Sequence, residues 1–491
     1  MVFGFGKGKQ ETKAAAPAPT PAPVQAAAKP VAPGVASAAP AAASSIQRGW
    51  MPGQMQDWKF TVNKVIEHAH INHGSREVVT RSVEGPIVRS NYSELYWRAR
   101  KCSNALLADG VQKGDRIATL AWNTQRHIET WYGTMCIGAV LHTLNPRLFP
   151  EQIAWIINHA EDTHVFYDIT FQPIIEAIKD KVPSVKHWIV LTDAAHKPQS
   201  GIANLRTYEE YIGGQSTDVV WGDFPEETAC GLCYTSGTTG DPKGVLYSHR
   251  SNVMHTMIGL QKDAIGIGAA DTTLPVVPMF HANAWGLAFS GPATGSKLVL
   301  PGAKMDGESI YELLENEKVT FTAAVPTVWL MLLQYLESTN KKLPHLNRVV
   351  IGGSAVPERI LRAFEENYQV EVVHAWGMTE MSPLGSLGSM TAGVLEQDHD
   401  TIIKYKLKQG RPPFGVEMKI IDDEGKELPH DGKSAGRLVV RGPAISKAYF
   451  KNAGGEILDK EGFFDTGDVA NIDELGYMQI TDRAKDVIKS G

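Results

Sequence analysis

Between Met51 and about residue 410, short apolar runs alternate with stretches of helical spacing, and this alternation restricts the architecture more than any other feature of the chain. Runs at 78–80 and 87–89, on either side of Glu84-Gly85-Pro86, predict a hairpin. A helix over 92–109 and a strand over 116–121 follow, and helix and strand signals continue through 125–137, 164–167, 186–191 and 229–235. Further strands are expected at 297–300, 348–351 and 371–374. Alternation at this spacing predicts parallel sheets covered by helices, an α/β fold. After about residue 410 the text changes to short strands and turns, at 417–421, 422–425 and 437–440, which predicts a smaller, mostly β subdomain. The 491 residues allow about three domains on length alone, and 43% hydrophobic residues supply a large core.

The first fifty residues are different. Positions 14–45 hold 15 alanines and 7 prolines, with no acidic residue and no large apolar side chain except the valines. Prolines at this density interrupt a helix, so 1–50 is expected to be a disordered Ala/Pro-rich tail. Val2, Phe3 and Phe5 stand among glycines and lysines without a continuous apolar stretch, which predicts no secretory signal. The uncharged stretch 319–336 is long enough to invite a membrane assignment, but Pro326 divides it into a buried strand and a helix opening just after the proline. No membrane span is therefore expected, while peripheral contact and a homodimer stay open. Forty-eight basic against 54 acidic residues, net −6, give no sign of a nucleic-acid surface, and none is expected. Four cysteines in so long a chain fit the reducing cytoplasm.

The strongest local signal is Thr235-Ser236-Gly237-Thr238-Thr239-Gly240-Asp241-Pro242-Lys243-Gly244, which follows an apolar run and precedes a helix start at Ser248. Its glycines let backbone N–H groups turn toward an anion, its hydroxyls add donors, and Lys243 brings a mobile cation suited to nucleotide phosphates. The spacing is not G-x-x-x-x-G-K-[ST], and Gly244 has no hydroxyl to offer magnesium, so a metal ligand must come from elsewhere. Gly352-Gly353-Ser354-Ala355-Val356-Pro357 follows a strand with small residues that leave room for a flat ring. In His374-Ala375-Trp376-Gly377-Met378-Thr379-Glu380, Trp376 offers an aromatic face and Glu380 a hard oxygen ligand. Cys230 and Cys233, three apart on an expected strand, face opposite sides and make a poor metal pair.

The ten-residue loop resembles the signature of the adenylate-forming enzymes, which include acyl-CoA synthetases, luciferases and peptide-synthetase adenylation domains, and similar motifs recur in order over most of 51–491. The resemblance implies the large N-terminal domain of that family, with two helix-covered β-sheet lobes and a small β subdomain. It divides the chain into α/β lobes carrying the nucleotide and acyl sites over 51–409, a small β subdomain over 410–480 and a hinge motif over 481–491. It implies ATP, Mg2+ and coenzyme A as co-substrates and cofactor. Thr235, Ser236, Gly237, Thr238, Thr239, Gly240 and Lys243 would bind the phosphates. Gly353, Ser354 and Ala355, with His374, Ala375, Trp376, Gly377 and Met378, would border the adenine. Thr379 would meet the α-phosphate, and Glu380 with Thr235 would hold the metal. Asp468 matches the ribose-binding aspartate, Arg483 would also reach the ribose, and Lys485 would be the hinge pivot.

Pro278-Met279-Phe280-His281-Ala282-Asn283-Ala284-Trp285-Gly286 resembles a stretch of medium- and long-chain fatty acyl-CoA synthetases. There His281 would border the carboxylate and thiol path, Trp285 would gate the fatty-acid tunnel, and Gly377 and Met378 would also face the substrate. If the segment is helical, His281 and Trp285 share a face. The stretches 322–329 and 378–384 are candidate pocket walls. Two departures stand out: Trp376 where the family often has tyrosine, and Arg437 where glutamate is common. The resemblance implies a fatty acid–CoA ligase in which Lys243, Thr379, Glu380 and His281 do the chemistry. The alternatives are a ligase serving a carrier protein and a non-catalytic nucleotide or acyl binding module. The chain stops partway through the hinge motif, before the small lid domain with which family members continue, so slow turnover is expected of it.

Overall fold

The computed structural model describes Met51 and residues 53–235 and 241–483. The described residues up to Asp57 form no helix or strand, and a separate unit begins at Trp58. Within it the α/β alternation resolves into two large sheets and one small one.

The first large sheet has seven strands in the spatial order Arg206–Thr207, His187–Val190, His164–Tyr167, Arg116–Leu120, Val140–Thr143, Ala229–Tyr234, Gly244–Ser248. All its pairings are parallel except the last, where Ala229–Tyr234 and Gly244–Ser248 run antiparallel with Tyr234 opposite Gly244. The glycine-rich loop therefore joins two strands of a hairpin. The helix after it begins one strand later, at His249, with Ser248 as its N-cap accepting from Ser251 N. A capping serine announces a helix whatever precedes it, which is why the strand Gly244–Ser248 escaped the sequence pattern.

The second sheet has eight strands, in the order Leu384–Leu387, Glu371–Gly377, Arg348–Ile351, Phe321–Ala324, Thr272–Pro275, Lys297–Leu300, Glu77–Arg81, Ile87–Asn91. It is parallel through its centre and antiparallel at each edge. The predicted early hairpin is present, and it enters this sheet by pairing Thr80 with Leu300. The stretch weighed as a membrane span divides as expected, into the strand Phe321–Ala324 and the helix Pro326–Thr339. The helix takes Pro326 itself as its first residue, where the missing N–H costs nothing. Among the described residues no helix is long and apolar enough to cross a membrane.

Side chains from both sheets, among them Leu141, Cys230, Leu298, Phe321 and Val350, join Ile66, Trp131, Tyr132 and Phe289 in one buried core. The helices Asn63–His73, Tyr92–Ala108, Gln125–Met135 and Leu287–Thr294 contribute to that core, so they lie between the sheets. Outer helices cover the remaining faces: Pro150–Ala160 and Gln172–Ile178 on the first sheet, Gly307–Asn316 and Pro326–Thr339 on the second. Burial on both faces explains why the central strands read as unbroken apolar runs.

The last sheet is an antiparallel meander of Glu417–Ile421, Gly436–Arg441, Phe464–Ile472 and Met478–Arg483. The expected hinge motif starts inside its final strand, because Thr481 to Arg483 are still paired, Asp468 lying opposite Arg483. Arg437, where the resemblance expects an acid, ion-pairs with Asp465 at 2.8 Å across this sheet. Asp465 is a strand residue whose carboxylate also caps Gly467 N at 2.9 Å.

Candidate active site

Both large sheets place their motifs just past the carboxyl ends of parallel strands, where open α/β sheets leave a crevice. Ala229–Tyr234 leads into Thr235, Arg348–Ile351 into Gly352, and Glu371–Gly377 into Thr379 and Glu380. The loop base is closed by its own backbone. Thr235 N donates to Lys243 O at 2.9 Å, and Lys243 N to Thr235 Oγ1 at 3.4 Å. Ser236, Gly237, Thr238, Thr239 and Gly240 lie outside the described residues, as do Lys485 and the side chain of Arg483.

Lys243 points toward Tyr449 and, through it, the Glu380 segment. Its Nζ lies 5.0 Å from the centroid of the Tyr449 ring, and the Tyr449 hydroxyl donates to Glu380 Oε1 at 2.6 Å. Lys243 and Glu380, 137 positions apart, thus meet around one tyrosine that the sequence reading did not single out. Glu380 is buried, on the short turn Thr379–Met381, and its carbonyl accepts from Ser446 N at 2.7 Å. The Thr379 carbonyl accepts from the Tyr247 hydroxyl at 2.7 Å. Burial first, and then the Glu380 charge, raise the Tyr449 pKa above that of an ordinary phenol, so the hydroxyl remains a donor. A buried carboxylate with one oxygen held and no hydrogen bond to the other among the described residues is a hard anionic donor, and that chemistry fits Mg2+.

The adenine and ribose candidates share one contact: Trp376 Nε1 donates to Asp468 Oδ2 at 3.1 Å. Asp468 is buried, and the Trp376 ring packs so tightly on Gly385 that a Cβ there would come within 2.4 Å. Gly353 has φ +80°, and Ser354 and Ala355 beside it are exposed. A Cβ on Gly377 would fall 2.0 Å from Pro383 O, so the chain crosses itself there only because the residue is glycine. His374 stands apart from the open surface. It is 1% exposed, its Nδ1 faces Leu407 O at 3.0 Å, and burial lowers its pKa to about 4. It braces the Ser354 turn from behind.

In the candidate acyl segment the helical expectation fails. Ala282, Asn283, Ala284, Trp285 and Gly286 all have positive φ, from 37° to 81°, so the segment is a left-handed run. His281 and Trp285 accordingly do not share a right-handed helical face. His281 is exposed, and desolvation together with the Arg147 charge lowers its pKa. Trp285 is half-buried and lies on the glycine pair, its ring 3.2 Å from where a Gly352 Cβ would sit. With Gly353, Ala375, Trp376 and Leu384 it lines a cavity of about 60 Å³. Of the other candidate walls, Leu384 reaches this cavity, but Trp329 is completely buried against Phe364 in the second sheet's outer core. Its helix turns it away from the site. Two supports passed unnoticed in the sequence: His255, whose ring accepts from Leu384 N and sits under Gly286, and Asn252, which binds Asn283. Cys230 and Cys233 lie on the strand as expected, both buried, with Cys230 Sγ accepting from Asn252.

The family model described as AMP-binding enzyme matches residues 66–450. A medium-chain-fatty-acid–CoA ligase from Ectopseudomonas oleovorans is 47% identical over 441 residues, covering 90% of this chain and 81% of the relative. A 3-methylmercaptopropionyl-CoA ligase from Ruegeria lacuscaerulensis is 46% identical over 445 residues, 90% of this chain and 82% of the relative. A long-chain-fatty-acid–CoA ligase from Thermus thermophilus is 43% identical over 442 residues, covering 90% and 80% respectively. Among solved structures, the anthranilate CoA ligase AuaEII in complex with anthranoyl-AMP superposes with a TM-score of 0.76 at 23% identity, over 88% of this chain and 79% of that one. It shares the fold.

Proposed function

Because this chain belongs to the AMP-binding enzyme family, we propose that its site joins a medium- or long-chain fatty acid to coenzyme A at the expense of ATP. The relatives named above support that choice of acid and thiol. The reaction has two halves. First, a carboxylate oxygen attacks the α-phosphorus of ATP in line, forming the acyl-adenylate and breaking the bond to pyrophosphate. Then the coenzyme A sulfur attacks the carbonyl, its proton passes to solvent, and the bond to AMP breaks.

Each residue has a task in this scheme. Lys243 presents its ammonium to the phosphate oxygens, and with the loop amides it offsets the charge that develops as pyrophosphate leaves. Glu380, with Thr235 as a second donor, would hold magnesium, which supplies further positive charge against those oxygens. Trp376 and the Gly353 turn border the adenine, and Asp468 accepts from the ribose hydroxyls while the Trp376 indole holds its other flank. The attacking acid is already ionised at neutral pH, so positioning replaces a general base. Trp285 stands over the cavity where the adenine border meets the acyl side, and an apolar wall there keeps water from the reactive mixed anhydride. A cytoplasmic location belongs to the same proposal and is supported by four cysteines that are all free and buried.

The observation that carries this reading is the meeting of Lys243 and Glu380 around Tyr449, an ammonium and a carboxylate from separate sheets set at one crevice. A second reading, a short sulfur-containing acid, is favoured by the 3-methylmercaptopropionyl-CoA ligase relative and by the cavity of about 60 Å³ beside Trp285. Exchange of labelled pyrophosphate into ATP, run with octanoate, palmitate and 3-methylmercaptopropionate, separates the two. Exchange dependent on the longer acids supports the first reading. Dependence on the sulfur acid alone supports the second, and no acid-dependent exchange removes both.

A further inference from the structure

We infer that Tyr449 is the positioning residue of this site: its hydroxyl orients the metal-holding carboxylate of Glu380, and its ring sets the reach of Lys243. Three sets of contacts lead there. The Tyr449 hydroxyl donates to Glu380 Oε1 at 2.6 Å, a charge-assisted bond of the strong kind. The same segment also grips the Glu380 turn through its backbone, since Ser446 N donates to Glu380 O at 2.7 Å and Ser382 Oγ to Ala444 O at 2.7 Å. On the other side of the ring, Lys243 Nζ stands 5.0 Å from the centroid, within range of a cation–π attraction.

The tyrosine is itself held firmly. It packs against the core of Cys233, Val245 and Tyr247 on the glycine-loop hairpin. The next two residues anchor it to the first lobe: Phe450 meets the His159 ring edge-on at 5.9 Å, and Lys451 Nζ lies 2.7 Å from Glu161 Oε1. A phenol so braced, with one acceptor, presents Glu380 in one orientation and leaves its second oxygen open to an ion. This is the arrangement in which an outer hydrogen bond controls a ligand, and its loss typically weakens metal binding 10–100-fold. The inference rests on the ligase reading only for the ATP and divalent cation it involves.

Tyr449→Phe deletes the hydroxyl and keeps the braced ring, so the chain should fold as before. Mn2+ bound in the presence of ATP, without acid, is measured by electron paramagnetic resonance. Its dissociation constant is expected to rise at least about tenfold. In pyrophosphate exchange the half-saturating Mg2+ should rise by the same factor, with KM for the acid and for ATP at saturating Mg2+ staying within about twofold. Tyr449→Leu should add a rise in the ATP KM, because Lys243 loses its support. Mn2+ affinity within twofold of the unaltered protein, or an equal loss of exchange at every Mg2+ concentration, overturns the proposal. If Tyr449→Leu leaves the ATP KM at the Tyr449→Phe value, the role of the ring falls. Absence of acid-dependent exchange in the unaltered protein would end the ligase reading, and the Mn2+ measurement would still decide the part played by Tyr449.

Discussion

At the proposed phosphate end of the site, Lys243 and Glu380 meet around Tyr449, on loops and a short turn beyond the strands, whereas at the proposed acyl end Trp285 belongs to a run of five consecutive residues of positive φ. The first arrangement fixes charged atoms in a buried setting, where a misplaced dipole is costly. The second places a large apolar ring by a backbone that L-residues adopt at about 1–2 kcal/mol each. Four of those five residues are not glycine, so the run persists because its surroundings impose it, Asn252 holding Asn283 and His255 lying beneath Gly286. Hydrogen bonding and a ring contact fix the first end, and a backbone held against its own preference fixes the second.

The contrast would break most visibly at Glu380. Glu380→Gln keeps the shape and the Tyr449 contact but removes the charge, and it should lower pyrophosphate exchange by about 10²–10³-fold with the acid KM unchanged. A loss confined to acid affinity would mean that the two ends are not separate.

Two of the buried imidazoles, His374 behind the Ser354 turn and His255 beneath Gly286, sharpen it next. Burial lowers both His374 and His255 to a pKa of about 4, against 6.5 in the unfolded chain. Below pH 6.5 the unfolded chain takes up protons that the folded one refuses. Stability is therefore full above that value and is lost as pH falls toward 4, by about 3 kcal/mol for each ring. Urea midpoints between pH 7.5 and 4.5 should fall accordingly, and His374→Gln and His255→Gln should each remove part of the slope. Slopes unchanged in both variants would show that other groups carry the pH dependence.

The smallest effect is expected at the wall. Trp285→Ala should narrow the ratio of kcat/KM between long and short acids by about 1–3 kcal/mol, the usual scale for an apolar pocket. ATP affinity should stay within about twofold. Lost ATP affinity with unchanged acid preference would put Trp285 at the wrong end.

What could be read from the sequence follows the same line. The parallel strands were legible because burial on both faces makes them apolar runs, and Lys297–Leu300 and Arg348–Ile351 fall where the pattern put them. Lys243 and Glu380 stood out because each belongs to a compact motif, and the structure brings the two together around Tyr449. Tyr449 was not: it stands in Ser446-Lys447-Ala448-Tyr449-Phe450, which has no spacing signature, and its meaning lies in a carboxylate 69 positions away. The left-handed run was missed because residue spacing reports a period and not a hand, and three of its residues, Ala282, Ala284 and Trp285, are types that ordinarily favour right-handed turns. The stretch 322–329 was a candidate wall with its orientation open, and the helix Pro326–Thr339 settles it for Trp329 by burying that ring in the outer core.

The pairing of Thr80 with Leu300 has a consequence for how the protein is made. The early hairpin emerges from the ribosome 220 residues before the strand that completes it, which at about 5–20 residues per second is an interval of roughly 10–40 s. Throughout that time one border of the ribbon is unpaired and open to intruding strands. Nascent chains should thus be most prone to clump before the segment around residue 300 is translated, and a slowing of synthesis over positions 100–290 would lengthen the hazard.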